Sequence, residues 1–460
     1  MSRGSHPVRK ANRNSRREIE WSHVIPGNGF QALIRQRPKE LEMSTDENMD
    51  KRKPLLLPMF AMVVIFSVLG FAVGIDAFFI PFIKGAFNIS TATSYLIVTA
   101  TYASFVLFSV PAGALVSKTG YKGGIVVAFV VLAMSFYLIA VAARITSFPL
   151  FLGALFVNGV GRVILNTAVN PYITLLGPKE NAAQRMSIMG ISNKLSFAGA
   201  SLILAVFLDL TNINMLDAVT PFYFIAGIFI LLGVFSYFTP LPELKAAGED
   251  ENEDVSHPSS AANLKRSIFE FPHLILGSIA LFFYVGVEII ALSTINDFAV
   301  TMNLNSPENY VWFTSSAMIL GYLSGVIFTP KIVSQEMALR LCALLGAFLT
   351  IAIIIAPIGI SIYLVAALGF ANAVMLPVIW PLAIADLGKW TKKGSGLVVM
   401  GGIGGAIIPL IFGYVVDLTS YHLAYIVCLP SYLYIYYFAK KGHKKRTYGA
   451  KVLYKAPYQP

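Results

Sequence analysis

Twelve long apolar runs lie between Leu55 and Ala439, and they constrain the fold more than any other feature of the sequence. A helix needs about 20 mostly apolar residues to cross a lipid bilayer. Twelve such helices with short loops use about 390 residues, close to the length of this region. Only 13% of the residues are charged, against roughly 25% in an ordinary soluble domain. The pattern therefore predicts an all-α membrane protein with twelve transmembrane helices.

The polar segments between the runs predict how the spans are grouped. We place the spans near residues 55–80, 94–116, 123–143, 149–175, 184–208, 219–239, 272–296, 309–330, 337–357, 359–384, 395–417 and 421–439. The longest internal polar segment, 241–270, divides them six and six. This predicts six-helix bundles at 51–240 and 271–439 joined by a cytoplasmic linker. We expect a disordered polar tail at 1–50 and a basic tail at 440–460.

Lys and Arg are concentrated in every second loop. The opposite loops hold only Lys84 and Arg144, whereas the favoured side holds twenty such residues. The twenty are residues 51–53, 118, 122, 179, 185, 245, 265, 266, 331, 340, 389, 392, 393, 440, 441 and 444–446. Cytoplasmic loops carry this excess, so we expect both termini in the cytoplasm and a multi-pass protein of the cytoplasmic (inner) membrane. The net charge of +11 is explained in this way, without a nucleic-acid partner.

The start of the chain is polar and basic. It lacks the apolar core of a signal peptide, and Met43 and Met49 are candidates for the natural start. Two cysteines, Cys342 and Cys428, lie in apolar runs, where they are expected to be small core residues. We expect no metal site and no cofactor. The sequence has no HExxH or GxSxG motif, which argues against an enzyme.

Four charged residues lie well inside the predicted spans: Asp76, Arg162, Lys194 and Glu288. A charge in the hydrocarbon region costs roughly 2.5–3.5 kcal/mol, so each requires a reason. We interpret Asp76 and Glu288, one in each half, as candidate proton-coupling carboxylates. The alternative for Asp76 is a structural ion pair with Arg162 or Lys194. For Lys194, substrate binding and a structural ion pair remain equally open.

A polar stripe runs along the fourth span. Asn158, Arg162, Asn166 and Asn170 are each four residues apart, which places them on one slowly drifting helix face. Such a face must meet another helix or a watery cavity rather than lipid. Amides and a guanidinium suit sugar hydroxyls, so Arg162, Asn166 and Asn170 are candidate substrate contacts. Hydrogen bonding between helices is the alternative.

Further candidate contacts lie in the fifth, seventh and tenth spans. Asn193 precedes Lys194 in the fifth span, and Tyr284 lies one turn before Glu288 in the seventh. Asn372 lies five residues before a proline, as Asn166 does, which indicates a faint repeat of one half in the other. Trp380 could stack on a sugar ring, although a single Trp near a helix end is also a common interfacial anchor.

Three segments resemble the fucose permease family, the fucose–galactose–glucose:proton symporter branch of the major facilitator superfamily. They are NTAVNPYITLLGP (166–178), FYVGVE (283–288) and LPVIWPLAIADLGKWTKKGSGLVVMGGIGGAIIPLIFGYVVD (376–417). The loop after the second span, GALVSKTGYKGG (113–124), departs from the superfamily pattern because Ser117 replaces the usual Asp. The resemblance covers about residues 55–439. It implies a monomeric importer of a monosaccharide, driven by a cation through alternating access.

The resemblance also identifies departures at the coupling positions. The family's first span usually carries Asn-Asp, where this chain has Asp76 and Ala77, and Asn166 stands where a glutamate is often found. Asn193 matches the family's asparagine in the fifth span. The most favoured function is therefore proton symport of a hexose, deoxyhexose or derivative. Sodium coupling, uncoupled sugar transport, export of another small solute and sugar sensing remain alternatives.

Overall fold

The computed structural model describes residues 56–87, 96–207, 215–246, 262, 265–305 and 310–446, and within these ranges the regular structure is helical. We number the helices α1 Leu56–Ala86, α2 and α3 within Leu96–Arg144, α4 Phe148–Leu175, α5 Ala182–Phe207, α6 Val219–Phe238, α7 Pro272–Thr301, α8 Tyr310–Phe328, α9 Gln335–Ile355, α10 Ile358–Ala373 with Met375–Ile384, α11 Thr391–Met400 with Gly404–Leu418, and α12 Tyr421–Ala424 with Cys428–Lys440. Three-residue 3₁₀ turns, Gly401–Ile403 and Tyr425–Val427, connect the parts of α11 and α12.

The stretch Leu96–Arg144 consists of two helices. As one rod, its 49 residues would measure about 74 Å, more than twice the roughly 30 Å of bilayer hydrocarbon. Gly120 interrupts it with φ 76° and ψ 174°, a conformation that glycine tolerates and other residues rarely adopt. The chain turns there, so that α2 is residues 96–119 and α3 is residues 121–144.

Nine helical stretches of the described residues are long and apolar enough to cross a membrane, with Thr99–Arg144 counted once. Dividing that stretch at Gly120 gives ten. The more polar α5 and the interrupted α12 bring the number of helices to twelve, and the all-α prediction is confirmed. The proposed domain boundaries remain a prediction, because residues 1–55, 247–261 and 447–460 lie outside the described part of the chain.

Large apolar side chains cover the outer surface of the bundle. Phe224 is 69% exposed, Phe348 66% and Ile355 76%. A surface this apolar would drive association in water, whereas in a bilayer it meets lipid chains. Aromatic packing fills the inside, as where Phe136 stacks on Phe222 with ring centroids 6.1 Å apart.

The same helix pairs pack together in the first six helices and in the last six. In the first half α5 lies against α1, where a Cβ on Gly70 would collide with the carbonyl of Asn193. In the second half α11 lies against α7, where a Cβ on Gly404 would collide with the carbonyl of Phe282. Because small residues allow helix backbones to approach closely, the glycines permit both pairings. The equivalence agrees with two repeated halves.

At one end of the bundle, the loops that follow the even-numbered helices lie together with the segment that follows α12. Gln335, which begins α9, donates to the carbonyl of Lys179 in the α4–α5 loop at 2.9 Å. Lys179 also lies 3.6 Å from Asp386, which follows α10. Asp386 in turn binds Arg446, which follows α12, at 2.6 Å. We call this the basic end, because its loops carry most of the Lys and Arg residues.

Candidate functional site

A buried ion pair connects the two halves of the molecule. The ammonium of Lys194 in α5 lies 3.0 Å from the Glu288 carboxylate in α7, and the two side chains are 10% and 13% exposed. Both had been singled out from the sequence, but as members of separate sites. Each charge offsets part of the other's cost of desolvation, although such pairs seldom add net stability. The structure thus assigns Lys194 a partner in the opposite half.

Two buried tyrosines surround this ion pair. Tyr284 of α7 and Tyr322 of α8 are 0% and 2% exposed. The Tyr284 hydroxyl lies near Glu288 and Tyr322, in positions that do not meet the geometry of a regular hydrogen bond. Tyr322 was missed in the sequence because it lies in an ordinary apolar span. Its ring packs where a side chain on Gly190 of α5 would otherwise be, so Tyr322 also bridges the halves.

The predicted stripe on α4 forms hydrogen bonds to two other helices. The Asn158 amide donates to the Ser135 hydroxyl of α3 at 3.0 Å, and the Arg162 guanidinium donates to the Ala72 carbonyl of α1 at 2.6 Å. These contacts bind α4 to its neighbours. The stripe therefore serves, in part, the alternative role of bonding between helices.

In the C-terminal part of the stripe, hydrogen bonds connect successive side-chain amides. Asn166 donates to the carbonyl of Arg162 at 2.9 Å, and Asn170 donates to the Asn166 side-chain oxygen at 3.1 Å. Asn170 is buried, whereas Asn166 is partly exposed. Of these two asparagines, Asn166 has more room for a ligand.

Adjacent residues Asn193 and Lys194 face different helices, as a helical rotation of 100° per residue predicts. The Asn193 amide donates to the Phe66 carbonyl of α1 at 3.1 Å and is partly exposed. Lys194 faces α7 instead. Asn193 therefore helps to hold α1 against α5 and keeps part of its surface accessible.

The two candidates in α10 are enclosed. Asn372 is 0% exposed; its side-chain oxygen accepts from Tyr432 of α12 at 2.9 Å, and its amide donates to Val287 of α7 at 3.4 Å. Trp380 is 1% exposed, and its indole N–H has no acceptor among the described residues. In this conformation both residues lie within the second half rather than on an open surface.

Asp76, the other predicted coupling carboxylate, lies in α1, and its side chain is outside the part of the structure that is described. Its backbone position follows Ala72, whose carbonyl binds Arg162. The role of Asp76 remains a prediction.

Helix contacts close the seam between the halves at the basic end. Gly396 of α11 packs on the Ser109 carbonyl of α2, and Gln184 of α5 donates to the Val326 carbonyl of α8 at 2.8 Å. The α2–α11 and α5–α8 pairs are equivalent under exchange of the two halves. Both run from the basic end toward the middle of the bundle, so this end is shut.

Glu243, which follows α6, fastens the same seam. Its carboxylate accepts from the backbone N–H of Tyr121, at the start of α3, at 3.1 and 3.2 Å. It also lies 3.1 Å from the ammonium of Lys392 in the first turn of α11, which is 5.0 Å from the centre of the Tyr121 ring. Sequence reasoning missed Glu243. Nothing in the sequence pattern singled it out, because Glu243 lies in the polar segment after the sixth span, where a charged residue is ordinary.

A membrane bundle of two repeated halves, shut at one end and joined by a buried ion pair, has the architecture of a secondary transporter. Comparison with known proteins agrees, since residues 60–400 match the model of the Major Facilitator Superfamily. The chain belongs to that superfamily. The prediction that it is a transporter rather than an enzyme is thereby confirmed.

Relatives of this chain include named sugar transporters. It is 32% identical to the glucose/galactose transporter of Brucella abortus over 396 residues, which cover 84% of this chain and 93% of that protein. It is 27% identical to the L-fucose-proton symporter of Escherichia coli, over 81% of this chain and 90% of that one. The crystal structure of FucP in the outward conformation superposes with a TM-score of 0.72 at 24% identity, covering 84% of this chain and 98% of FucP.

Proposed function

We propose that this protein imports a monosaccharide (a hexose, deoxyhexose or derivative) by proton symport through alternating access. The observation that carries the proposal is the Lys194–Glu288 ion pair, because it connects the two halves that must move relative to each other. The names of the relatives, a glucose/galactose transporter and an L-fucose-proton symporter, support a sugar as the substrate and a proton as the coupling ion.

In this proposal the basic end is the cytoplasmic end. The protein lies in a bacterial inner membrane, and both of its termini are in the cytoplasm. The excess of Lys and Arg supports this orientation. The structure then represents the state closed toward the cytoplasm. Its likeness to FucP in the outward conformation favours the same assignment. We expect the transporter to act as a monomer.

Glu288 is the proposed proton-binding group, with Asp76 as the second candidate. A proton on Glu288 removes the charge that holds Lys194 and weakens the connection between α5 and α7. Lys194 would then be a buried cation without a partner, which is costly. A sugar bound between the halves supplies hydroxyl oxygens that accept from the ammonium. Protonation and sugar binding thus favour each other, which is the requirement for coupling.

The proposed sugar contacts remain Arg162, Asn166, Asn170, Asn193, Lys194, Tyr284, Asn372 and Trp380. Partial exposure favours Asn166 and Asn193 as direct contacts. Buried Asn372 acts indirectly, because its side chain bonds to the backbone of Val287, next to Glu288. One proton that enters down 100 mV supplies roughly 2.3 kcal/mol, enough for about fifty-fold sugar accumulation at 25 °C.

One observation favours the alternative of an uncoupled sugar transporter: the Glu288 carboxylate already has the Lys194 ammonium as its partner, 3.0 Å away. Sodium coupling is a further alternative. Uptake of a panel of radiolabelled sugars into proteoliposomes distinguishes these functions. Accumulation of one sugar under an inward proton gradient supports symport. Accumulation under a sodium gradient alone, or equilibration without accumulation, supports the alternative, and failure of every sugar to enter removes the sugar assignment.

A further inference from the structure

A cleft of about 280 Å³ lies at the basic end, away from the ion pair. Its walls are Val110 and Ala114 of α2, residues 266–268 before α7, and Trp390 and Lys393 at the start of α11. The cleft therefore lies on the seam between the halves. Its depth along the bundle is that of lipid headgroups, because it is at the ends of membrane-crossing helices.

Two exposed cations, Arg266 and Lys393, line this cleft. Their side chains form no ion pair with a carboxylate among the described residues, although the backbone N–H of Arg266 donates to the Glu270 carboxylate at 3.0 Å. Their situation differs from that of Lys392, the neighbour of Lys393, which binds Glu243 at 3.1 Å. The Lys393 ammonium instead lies 5.3 Å from the centre of the Trp390 ring. Two cations facing one cleft repel each other, and an anion between them would relieve that repulsion.

A neutral donor in the cleft agrees with an anionic ligand. The side chain of Ser267 lines the cleft; its hydroxyl accepts from the backbone N–H of Phe269 at 3.3 Å and can still donate its own proton. Trp390 forms part of the wall, whereas its indole N–H is enclosed and has no acceptor among the residues that the structure describes. Guanidinium, ammonium and hydroxyl groups are together suited to the oxygens of a phosphate.

The remaining wall of the cleft is apolar and continues onto the outer face of α2. Val110 is 43% exposed, and Val106 and Leu107, one turn away, are 44% and 61% exposed. A free phosphate would leave this surface uncovered. A phospholipid would place its headgroup on the cations and its acyl chain along α2.

We propose that this cleft is a binding site for the phosphodiester headgroup of an anionic phospholipid, of the phosphatidylglycerol type. Arg266 and Lys393 supply the charge, Ser267 offers a hydroxyl, and α2 packs against an acyl chain. A lipid in this position would contact both halves across the shut seam and so stabilise the state closed at the basic end. The proposal rests on the membrane fold and not on which solute is carried.

Native mass spectrometry of the delipidated full-length protein, titrated with phosphatidylglycerol or phosphatidylcholine, tests the proposal. A cation at a membrane surface contributes about a five-fold gain in affinity for anionic lipid. Arg266→Gln and Lys393→Gln should each weaken phosphatidylglycerol binding by about that factor, and together by roughly twenty-five-fold. Phosphatidylcholine binding should not change in any variant.

Lys389→Gln is the matched control, since Lys389 is exposed on the same segment but does not line the cleft. It should keep the affinity of the unmodified protein within two-fold, and so should the charge-preserving Arg266→Lys. Equal phosphatidylglycerol affinity in the double variant and in Lys389→Gln would overturn the proposal. Competition by inorganic phosphate at the same concentration as the lipid would also overturn it, by making the cleft a site for free phosphate.

Discussion

Removing one member of the Lys194–Glu288 pair should destabilise the protein far more than removing both. Lys194→Met and Glu288→Gln each delete a charge and nearly preserve side-chain size. At 3.0 Å and an effective dielectric constant of about 20, the attraction is about 5 kcal/mol. Since the side chains are only 10% and 13% exposed, solvent screens little of it. Each single variant leaves a buried charge without its partner, at a cost of about 3–5 kcal/mol.

The double variant should lose less stability than either single variant, because it leaves no unpaired charge. The expected coupling energy is about 3 kcal/mol or more. Equilibrium unfolding in mixed micelles with a denaturing detergent, followed by tryptophan fluorescence, measures the free energies of unfolding. Lys331→Met and Glu180→Gln provide the control, since both residues are exposed and should show changes within about 0.5 kcal/mol and no coupling. Additive losses in the Lys194 and Glu288 variants would refute the pair's role.

Two further predictions concern the seam and the glycine contacts. Glu243→Gln removes the carboxylate that lies beside Lys392. Because Glu243 is 42% exposed, we expect the free energy of unfolding to change by less than about 1 kcal/mol. Maleimide labelling of Ser109→Cys in the seam should rise by up to about five-fold, and unchanged labelling would contradict the role of Glu243 in closing the seam. Gly404→Ala should cost about 2 kcal/mol or more through collision with the α7 backbone. Gly413→Ala in the same helix has open space and should leave the melting temperature unchanged or raise it.

The helices could be predicted closely because crossing a bilayer requires long apolar runs. The fourth span was predicted at 149–175 and is found at Phe148–Leu175. The fifth was predicted at 184–208 and is found at Ala182–Phe207. The first helix is longer than predicted, ending at Ala86 rather than at residue 80, because hydropathy falls before the helix ends.

Contacts between distant spans were harder to predict. Lys194 and Glu288 were recognised as costly charges, yet their pairing depends on how the two halves dock, which periodicity does not reveal. The alternatives considered for Lys194 included an ion pair with Asp76, whose side chain lies outside the described part of the structure; the structure places Glu288 beside Lys194. Asn372 was expected to face a sugar and is found bonded to Tyr432. A polar residue in a span indicates that a partner exists, but not which one.

The most direct test of the account is sugar transport by Glu288→Gln in proteoliposomes, beside the unmodified protein. We predict that the variant loses accumulation under an inward proton gradient and retains sugar exchange between the two sides, because the halves still move but no longer require a proton. Matched accumulation in the variant and the unmodified protein would contradict the account and remove Glu288 from the coupling step.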